Sequence, residues 1–494
     1  MNFKRQFVVN AFWSSVGNGA SSLVSFVVFA IVARLVDAEA IGIVAFAMAF
    51  IVLGRVFVEA GAPELILRHK DFDQRYASVA FWLSLVISAL AVLFFAFVLA
   101  PIIDRVFAPG SGIVLAVLSL SFFVDGTRVV HEAKFRRDFR YRALAIRNMA
   151  GAIVSGVVGV WLAYAGFGVW ALVAQRLIAS AVTTIVTWFT SNWRPSLLWS
   201  RDDASHQIVH GMGLLGASTL KIMIQRIPEL ALGLAQGPVS VAIYGVGIRT
   251  YEALYQLTAF PLLSAAMSSF ARLPDREALA KAYINTTGFF STFSFPLFFG
   301  TAVIAQQFIP LVFGPNWEVS SVVLMALAVS APPSILGVLL HPVLNSLGRT
   351  GLIFRLNLGS AIAMLVACAI SAAYGPIVIA IVLAARVYLG LICILYVLKR
   401  DVGVAPREIL MANAPPFIGS LAMLVAAVAM RHVLPADLPD LIVLAIQVLL
   451  GALTYAAVMI LIFPRHTAHV AHDAGEMFPR LKPFVHRFPG TSQA

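Results

Sequence analysis

Charge is what this sequence has least of. Only 12% of its 494 residues are Asp, Glu, Lys or Arg, while 60% are hydrophobic. A water-soluble chain of this length could not hide that much apolar surface, so a soluble globular protein is excluded and the membrane class remains. Cysteine is nearly absent. Cys368 and Cys393 both lie inside apolar runs and offer neither a disulfide framework nor a thiol metal pair. Also missing are a phosphate-cradling glycine loop, a zinc-ligand spacing and a nucleophile–base constellation, so the expectation is no enzyme, no cofactor and no metal. His206 and His210 are four apart without a third ligand. His466, His469 and His472 fall three apart near the C-terminus and read as a solvated tail. The net charge of +12 has no basic soluble domain to carry it. It therefore marks topology and lipid contact, not nucleic-acid binding. The first apolar run, Asn10 to Ala33, is longer than the roughly 7–15 residues of a signal-peptide core.

What the chain has is apolar runs about 20 residues long, the length that crosses a bilayer as helix. Fourteen are expected, at 10–33, 41–60, 77–100, 112–130, 148–165, 167–190, 211–234, 240–266, 284–308, 319–341, 356–374, 377–397, 412–430 and 441–463. An even count puts both termini on one side. The loops and tails of that side hold 25 of the 35 Lys and Arg, the opposite loops 3 and the spans 7, so the basic side is cytoplasmic. The opposite loops are too short for the large external domain that a glycan polymerase or ligase needs. A coarse repeat relates spans 1–2 to spans 7–8 and divides the chain into 1–200, 201–400, an added pair of helices at 401–463 and a basic cytoplasmic tail at 464–494. The cytoplasmic segment His131–Arg147 interleaves basic and aromatic residues. It reads either as an interfacial helix on an anionic leaflet or as a solvated loop that fixes topology. Trp161, Trp170, Trp188, Trp193, Trp199 and Trp317 fall near span ends, as in an interfacial aromatic belt.

The rare charges inside the spans are the candidates for function. A charge at bilayer depth costs roughly 3 kcal/mol or more, so it faces a bundle interior or a wet cavity. Gly211–Met267 alone carries Lys221, Arg226, Glu229, Arg249 and Glu252, with Arg226/Glu229 and Arg249/Glu252 each three apart on one helix face. Arg55, Arg128, Arg176, Arg386 and Asp125 lie in other spans, and Glu59 near a span end. Each opposite-sign pair reads either as a site or as a structural ion pair between helices. Pro228, Pro261, Pro296, Pro332 and Pro333 interrupt spans and read as hinges or as ordinary kinks.

A family resemblance enters in the first hundred residues. A-R-L-V-D-A-E-A-I-G (Ala33–Gly42), E-A-G-A-P-E-L-I-L-R (Glu59–Arg68) and A-F-W (Ala80–Trp82) resemble, in order and spacing, the Wzx-type polysaccharide flippases of the multidrug/oligosaccharidyl-lipid/polysaccharide exporter superfamily. The later spans match in number and layout only. The resemblance implies an all-α membrane fold of two pseudo-symmetric six-helix lobes around a central cavity, plus two C-terminal helices, in a bacterial inner membrane. It implies a polyprenyl-diphosphate oligosaccharide as cargo, with anionic lipids, a polysaccharide polymerase and chain-length proteins as partners. For such a cargo Arg249, Arg226, Lys221, Arg176, Arg386 and Arg55 are the expected diphosphate ligands, because a guanidinium fork holds two phosphate oxygens at any pH. Glu229, Glu252 and Asp125 are the expected ion-coupling acids. A cation-coupled drug exporter of the same superfamily would instead line its cavity with acidic or apolar groups, against the excess of arginine.

Overall fold

The structure is a computed structural model. It describes residues 3–59, 62–68, 72–270, 273, 275–435 and 438–477; among the side chains outside the described set are those of 3–18, 212–218, Lys221 and Pro261. Among the described residues there is no strand. Lipid offers the backbone no hydrogen-bond partner, so apolar runs of this length close their own N–H and C=O groups in helices. In chain order these are α1 (Phe3–Leu35), α2 (Ala38–Glu59), the short α3 (Ala62–Arg68), α4 (Gln74–Leu93) and α5 (Ala100–Val106). A π-helical turn, Phe94–Leu99, joins α4 and α5 into one segment. Next come α6 (Ser111–Gly126), α7 (Val129–Arg137), α8 (Tyr141–Tyr164), α9 (Val169–Thr190), α10 (Arg201–Gln236), α11 (Pro238–Phe270) and α12 (Arg276–Phe313). The last are α13 (Glu318–Val329), α14 (Ala331–Val338), α15 (Leu340–Ser346), α16 (Thr350–Ser371), α17 (Pro376–Val397), α18 (Pro406–Val433), α19 (Asp440–Leu461) and α20 (Pro464–Met477).

Helices stand at each of the fourteen expected positions. Among the described residues nine are long and apolar enough to cross a membrane alone, or up to eleven when each bent pair counts as one span. The two bends are informative. Pro332 and Pro333 open α14, where their missing N–H groups break the ladder, and the chain turns by 45° there. Pro228 and Pro296 lie inside the unbroken helices α10 and α12. Pro261 is outside the described side chains. The other bend, 46° between α6 and α7, cuts the expected span 112–130 short at Gly126. Beyond it α7 leaves the apolar stretch, carries Lys134, Arg136 and Arg137 in its last turn, and buries Val130, Ala133 and Phe135.

The chain forms two compact units, one of residues 1–246 with 357–379, the other of 247–356 with 380–494. In the first, α8 lies against α1 and α9, and α6 packs on α2, α4 and α9. Small residues permit the close approach that membrane helices rely on, Gly156 meeting Val28 and Gly151 meeting Thr183. Gly42, the last residue of the first quoted motif, is the tightest case: a Cβ there would run into the backbone carbonyl of Pro238 at the start of α11. In the second unit α12 packs on α13, α18 and α19, and the buried Tyr283 hydroxyl donates to the Leu336 carbonyl at 2.7 Å.

Two expectations need correction. Trp193 and Trp317 are 5% and 2% exposed, so they belong to the core and not to an interfacial belt, whereas Trp161, Trp170 and Trp199 are exposed. Trp193 meets Phe81 and His131 edge to face and donates to Gln74 Oε1 at 2.6 Å. With Trp82 Nε1 donating to the Ser196 carbonyl at 2.9 Å, it holds the segment between α9 and α10 against α4. The tail histidines are not uniformly solvated either. α20 docks through Thr467, which donates to the Met459 carbonyl at 2.7 Å, and half-buried His466 has its Nε2 2.9 Å from Thr292 Oγ1.

The Gly42 contact has a direct test. Gly42→Ala is expected to destabilise the protein by about 1–3 kcal/mol, the usual cost of overpacking against atoms that cannot yield. Thermal unfolding in detergent reads the loss, and an unchanged midpoint would mean that the starts of α2 and α11 do not touch.

Candidate functional site

The charges of the first unit gather at the end of α6. Asp125 sits in the last turn of α6 and is 3% exposed. Its Oδ2 lies 2.7 Å from Arg55 Nη2 of α2. Its Oδ1 accepts from Arg128, with Nη2 at 3.0 Å, and from the Ser180 hydroxyl of α9 at 2.6 Å. One turn further, Glu132 of α7 is held by three guanidinium groups: Arg128 at 3.0 Å, Arg136 at 2.8 Å and Arg147 of α8 at 2.9 Å. Arg128 bridges both carboxylates. Two acids thus connect five helices through four arginines and Ser180.

The groups line a cleft of about 450 Å³, open mouth included, whose wall is formed by Arg55, Glu59, Pro63, Asp125, Arg128, Glu132 and Arg136. Around it stand four guanidinium groups, counting Arg147, against the carboxylates of Glu59, Asp125 and Glu132, a formal excess of one positive charge. Glu132 lies beyond the end of the span. Burial alone would raise its pKa, but Arg147, Arg128 and Arg136 outweigh burial and hold it down at about 2. His131 beside it is buried, with Nδ1 2.9 Å from Ser191 Oγ. Burial first, and then the charge of Arg194, push it down to about 4, so it is neutral at physiological pH.

The remaining candidates lie elsewhere. Arg226 Nη1 is 3.0 Å from both carboxylate oxygens of Glu229 in the same stretch of α10, with the acid 7% exposed. Arg249 and Glu252 are half-buried on α11, Arg386 is half-buried on α17, and Arg176 is exposed on α9. Arg226 and Glu229 belong to the first unit, Arg249, Glu252 and Arg386 to the second. The Lys221 side chain is outside the described residues. Sequence reasoning gave Arg55 and Asp125 separate roles, and the structure makes them one ion pair. It overlooked Glu132, Arg136, Arg147 and Ser180 as members of the cluster. A usable signal existed: Asp125, Arg128, Glu132 and Arg136 are spaced three, four and four, one face of a helix.

Comparison with known proteins now decides the family. Residues 31–322 match the family described as polysaccharide biosynthesis protein. The chain belongs to this family. It is similar to the succinoglycan biosynthesis transport protein ExoT of Rhizobium meliloti (strain 1021), with 23% identity, over 76% of each chain. It is also similar to the lipopolysaccharide biosynthesis protein WzxC of Escherichia coli (strain K12), with 21% identity over 89% of this chain and 90% of the relative. Among solved structures it shares the fold of the lipid II flippase MurJ in an inward closed conformation, at a TM-score of 0.74 and 17% identity, covering 90% of this chain and 97% of that one. This polysaccharide biosynthesis protein therefore has the all-α fold of a membrane transporter, as the quoted motifs imply.

Within that fold the Asp125–Glu132 cluster can fasten helices, and it can take up a further anion. Its structural weight is measurable. Asp125→Ala takes the ion-pair partner from Arg55, leaves Arg128 with Glu132 alone and is expected to cost about 3–5 kcal/mol. A variant as stable as wild type would remove the cluster from the framework. The neutral His131 adds a pH dependence. The unfolded chain protonates this histidine near pH 6.5, the native state only near 4, so the unfolded state binds more protons in between and stability falls as pH falls through that window. Glu132 acts in the same direction only below its unfolded value of 4.5, as pH falls toward 2. The unfolding temperature is expected to drop between pH 6.5 and 4.5, and His131→Asn, which keeps a partner for Ser191, to flatten that drop.

Proposed function

We propose that this chain is a flippase that carries a polyprenyl-diphosphate-linked oligosaccharide from the cytoplasmic to the periplasmic leaflet of a bacterial inner membrane. It acts by alternating access in the biosynthesis of a surface polysaccharide such as an exopolysaccharide, O-antigen or capsule, and catalyses no covalent chemistry. One observation carries the reading: a member of the polysaccharide biosynthesis family shares the fold of a lipid II flippase over nine-tenths of its length. The 25-to-3 bias of basic residues supports cytoplasmic termini. The lobes are 1–200 and 201–400, followed by the helix pair at 401–463 and the tail. Anionic lipids, a polysaccharide polymerase and chain-length proteins are its partners.

In this reading Arg249, Arg226, Lys221, Arg176, Arg386 and Arg55 conduct the diphosphate. Two of them are already matched with acids, Arg226 with Glu229 and Arg55 with Asp125. A bare guanidinium in an apolar bundle is costly, so the resting carboxylate keeps the cation neutralised until a phosphate replaces it. The exchange trades one charge-assisted pair for another and leaves a carboxylate needing a proton or cation, which gives Glu229, Glu252 and Asp125 their coupling role.

The test is transport in proteoliposomes loaded with a fluorescent polyprenyl-diphosphate oligosaccharide, with wild type beside Arg249→Ala and Arg226→Ala. Wild type is expected to move the lipid. The variants are expected to lose about tenfold or more, the effect of one charged hydrogen bond of about 1.5–3 kcal/mol. A wild-type protein that exports organic cations and moves no lipid-linked glycan would replace this reading with the drug exporter.

A further inference from the structure

The corner between α7 and α8 contains a conformation that needs a reason. Phe139 has φ of 54°, the only positive φ outside glycine among the described residues. It occupies the position just past the end of α7 where helices usually place glycine. The Arg140 N–H donates to the Phe135 carbonyl at 2.8 Å and the Phe139 N–H to the Arg136 carbonyl at 3.3 Å, the paired closing bonds of a Schellman motif. A left-handed conformation costs a bulky residue roughly 1–2 kcal/mol that glycine would not incur. The strain is not offset by burial, because Phe139 is 50% exposed. A strained aromatic held out from a surface points to a role for the side chain itself.

The surroundings identify what it meets. The inner face of α7 is anchored, Val130, Ala133 and Phe135 being buried and Arg137 donating to the Ile66 carbonyl of α3 at 2.9 Å, so the corner presents a fixed surface. Around Phe139 stand exposed Arg136, Arg140 and Arg142, with Arg140 lying over the Phe135 ring. The adjacent acid, Asp138, is engaged by Lys134 at 3.0 Å. The level of the membrane is set by α8. Ile146, Ile153, Val157 and Trp161 are exposed at steps of seven, four and four, an apolar stripe along one face of a spanning helix. Arg142 falls one turn before Ile146 on that same face, and Phe139 precedes it by three residues. The basic-aromatic corner therefore stands where the lipid-facing stripe runs out.

We propose that Phe139, Arg140 and Arg142 form an interfacial foot that docks on anionic phospholipid. The ring enters the boundary between headgroups and acyl chains, and Arg140 and Arg142 take the phosphodiester oxygens. Aromatic side chains favour that depth, and an anionic leaflet attracts surface arginines. The inference rests on the reading that this end of the molecule faces the anionic cytoplasmic leaflet. It does not depend on the cargo.

The experiment places p-benzoylphenylalanine at position 139 of the full chain in vesicles of phosphatidylglycerol and phosphatidylethanolamine, followed by illumination and mass spectrometry of the adducts. The expected result is lipid adducts whose ratio of phosphatidylglycerol to phosphatidylethanolamine is about fivefold that of the bulk vesicle, the factor that one arginine near an anionic surface supplies. Arg140→Gln with Arg142→Gln should return the ratio toward that of the bulk vesicle. Adducts that follow the bulk ratio, adducts absent, or cross-links to another protein in native membranes would each overturn the proposal. Phe139→Gly separates function from fold: it is expected to unfold at a higher temperature in neutral detergent, where only the backbone strain counts. It should also gain less than wild type when phosphatidylglycerol is added. A variant that unfolds at a lower temperature in detergent would make Phe139 a structural residue and end the argument. Neither readout measures transport, so a failure here leaves the flippase reading intact, and a failure of transport leaves this one.

Discussion

An ionised group inside an apolar helix bundle has to bring its counter-charge with it. Water is not there to solvate it, and the low dielectric makes a missing partner as expensive as a present one is attractive. Asp125 meets this demand from three directions, with Arg55, Arg128 and Ser180. Lipid supplies no hydrophobic push between helices, since its tails are as apolar as leucine, so packing and polar contacts must fix their arrangement. The two carboxylates at the end of α6 and on α7 do this for α2, α8 and α9 together. The glycine contacts along α8 allow the approach, and the ion pairs select which helices meet.

The helices themselves were readable from hydropathy because the bilayer imposes one length on every span and leaves little freedom in secondary structure. The fold class followed from the motifs at Ala33–Gly42, Glu59–Arg68 and Ala80–Trp82, and their packing now has a physical content. Gly42 lets α2 abut Pro238, and Phe81 and Trp82 hold the segment that leaves α9. The charged cluster was only half legible. Arg55 and Asp125 stood out because each sits alone in an apolar run, but 70 residues separate them and no periodicity links them. Glu132 and Arg147 were hidden for the opposite reason. They lie in a segment so rich in charge that it reads as loop, and only the bend after Gly126 turns α7 back onto its neighbours. Trp193 misled in a similar way, since a tryptophan near a span end fits the interfacial belt until its indole N–H is seen to reach Gln74.

The cargo proposed here sets two demands on the charges that meet it. Arginines strong enough to hold a diphosphate are too costly to leave unpaired while the cavity is empty, and arginines paired too firmly could not release their acids. Pairs of graded strength meet both needs. Glu132, bound by three guanidinium groups, suits a framework that persists. Arg226 pairs with Glu229 three residues away on the same helix, a contact that lies within α10. The Arg55 side chain is 36% exposed at the cleft while it holds an acid of another helix, so an anion bound there would compete with Asp125 for one of the contacts between α2 and α6.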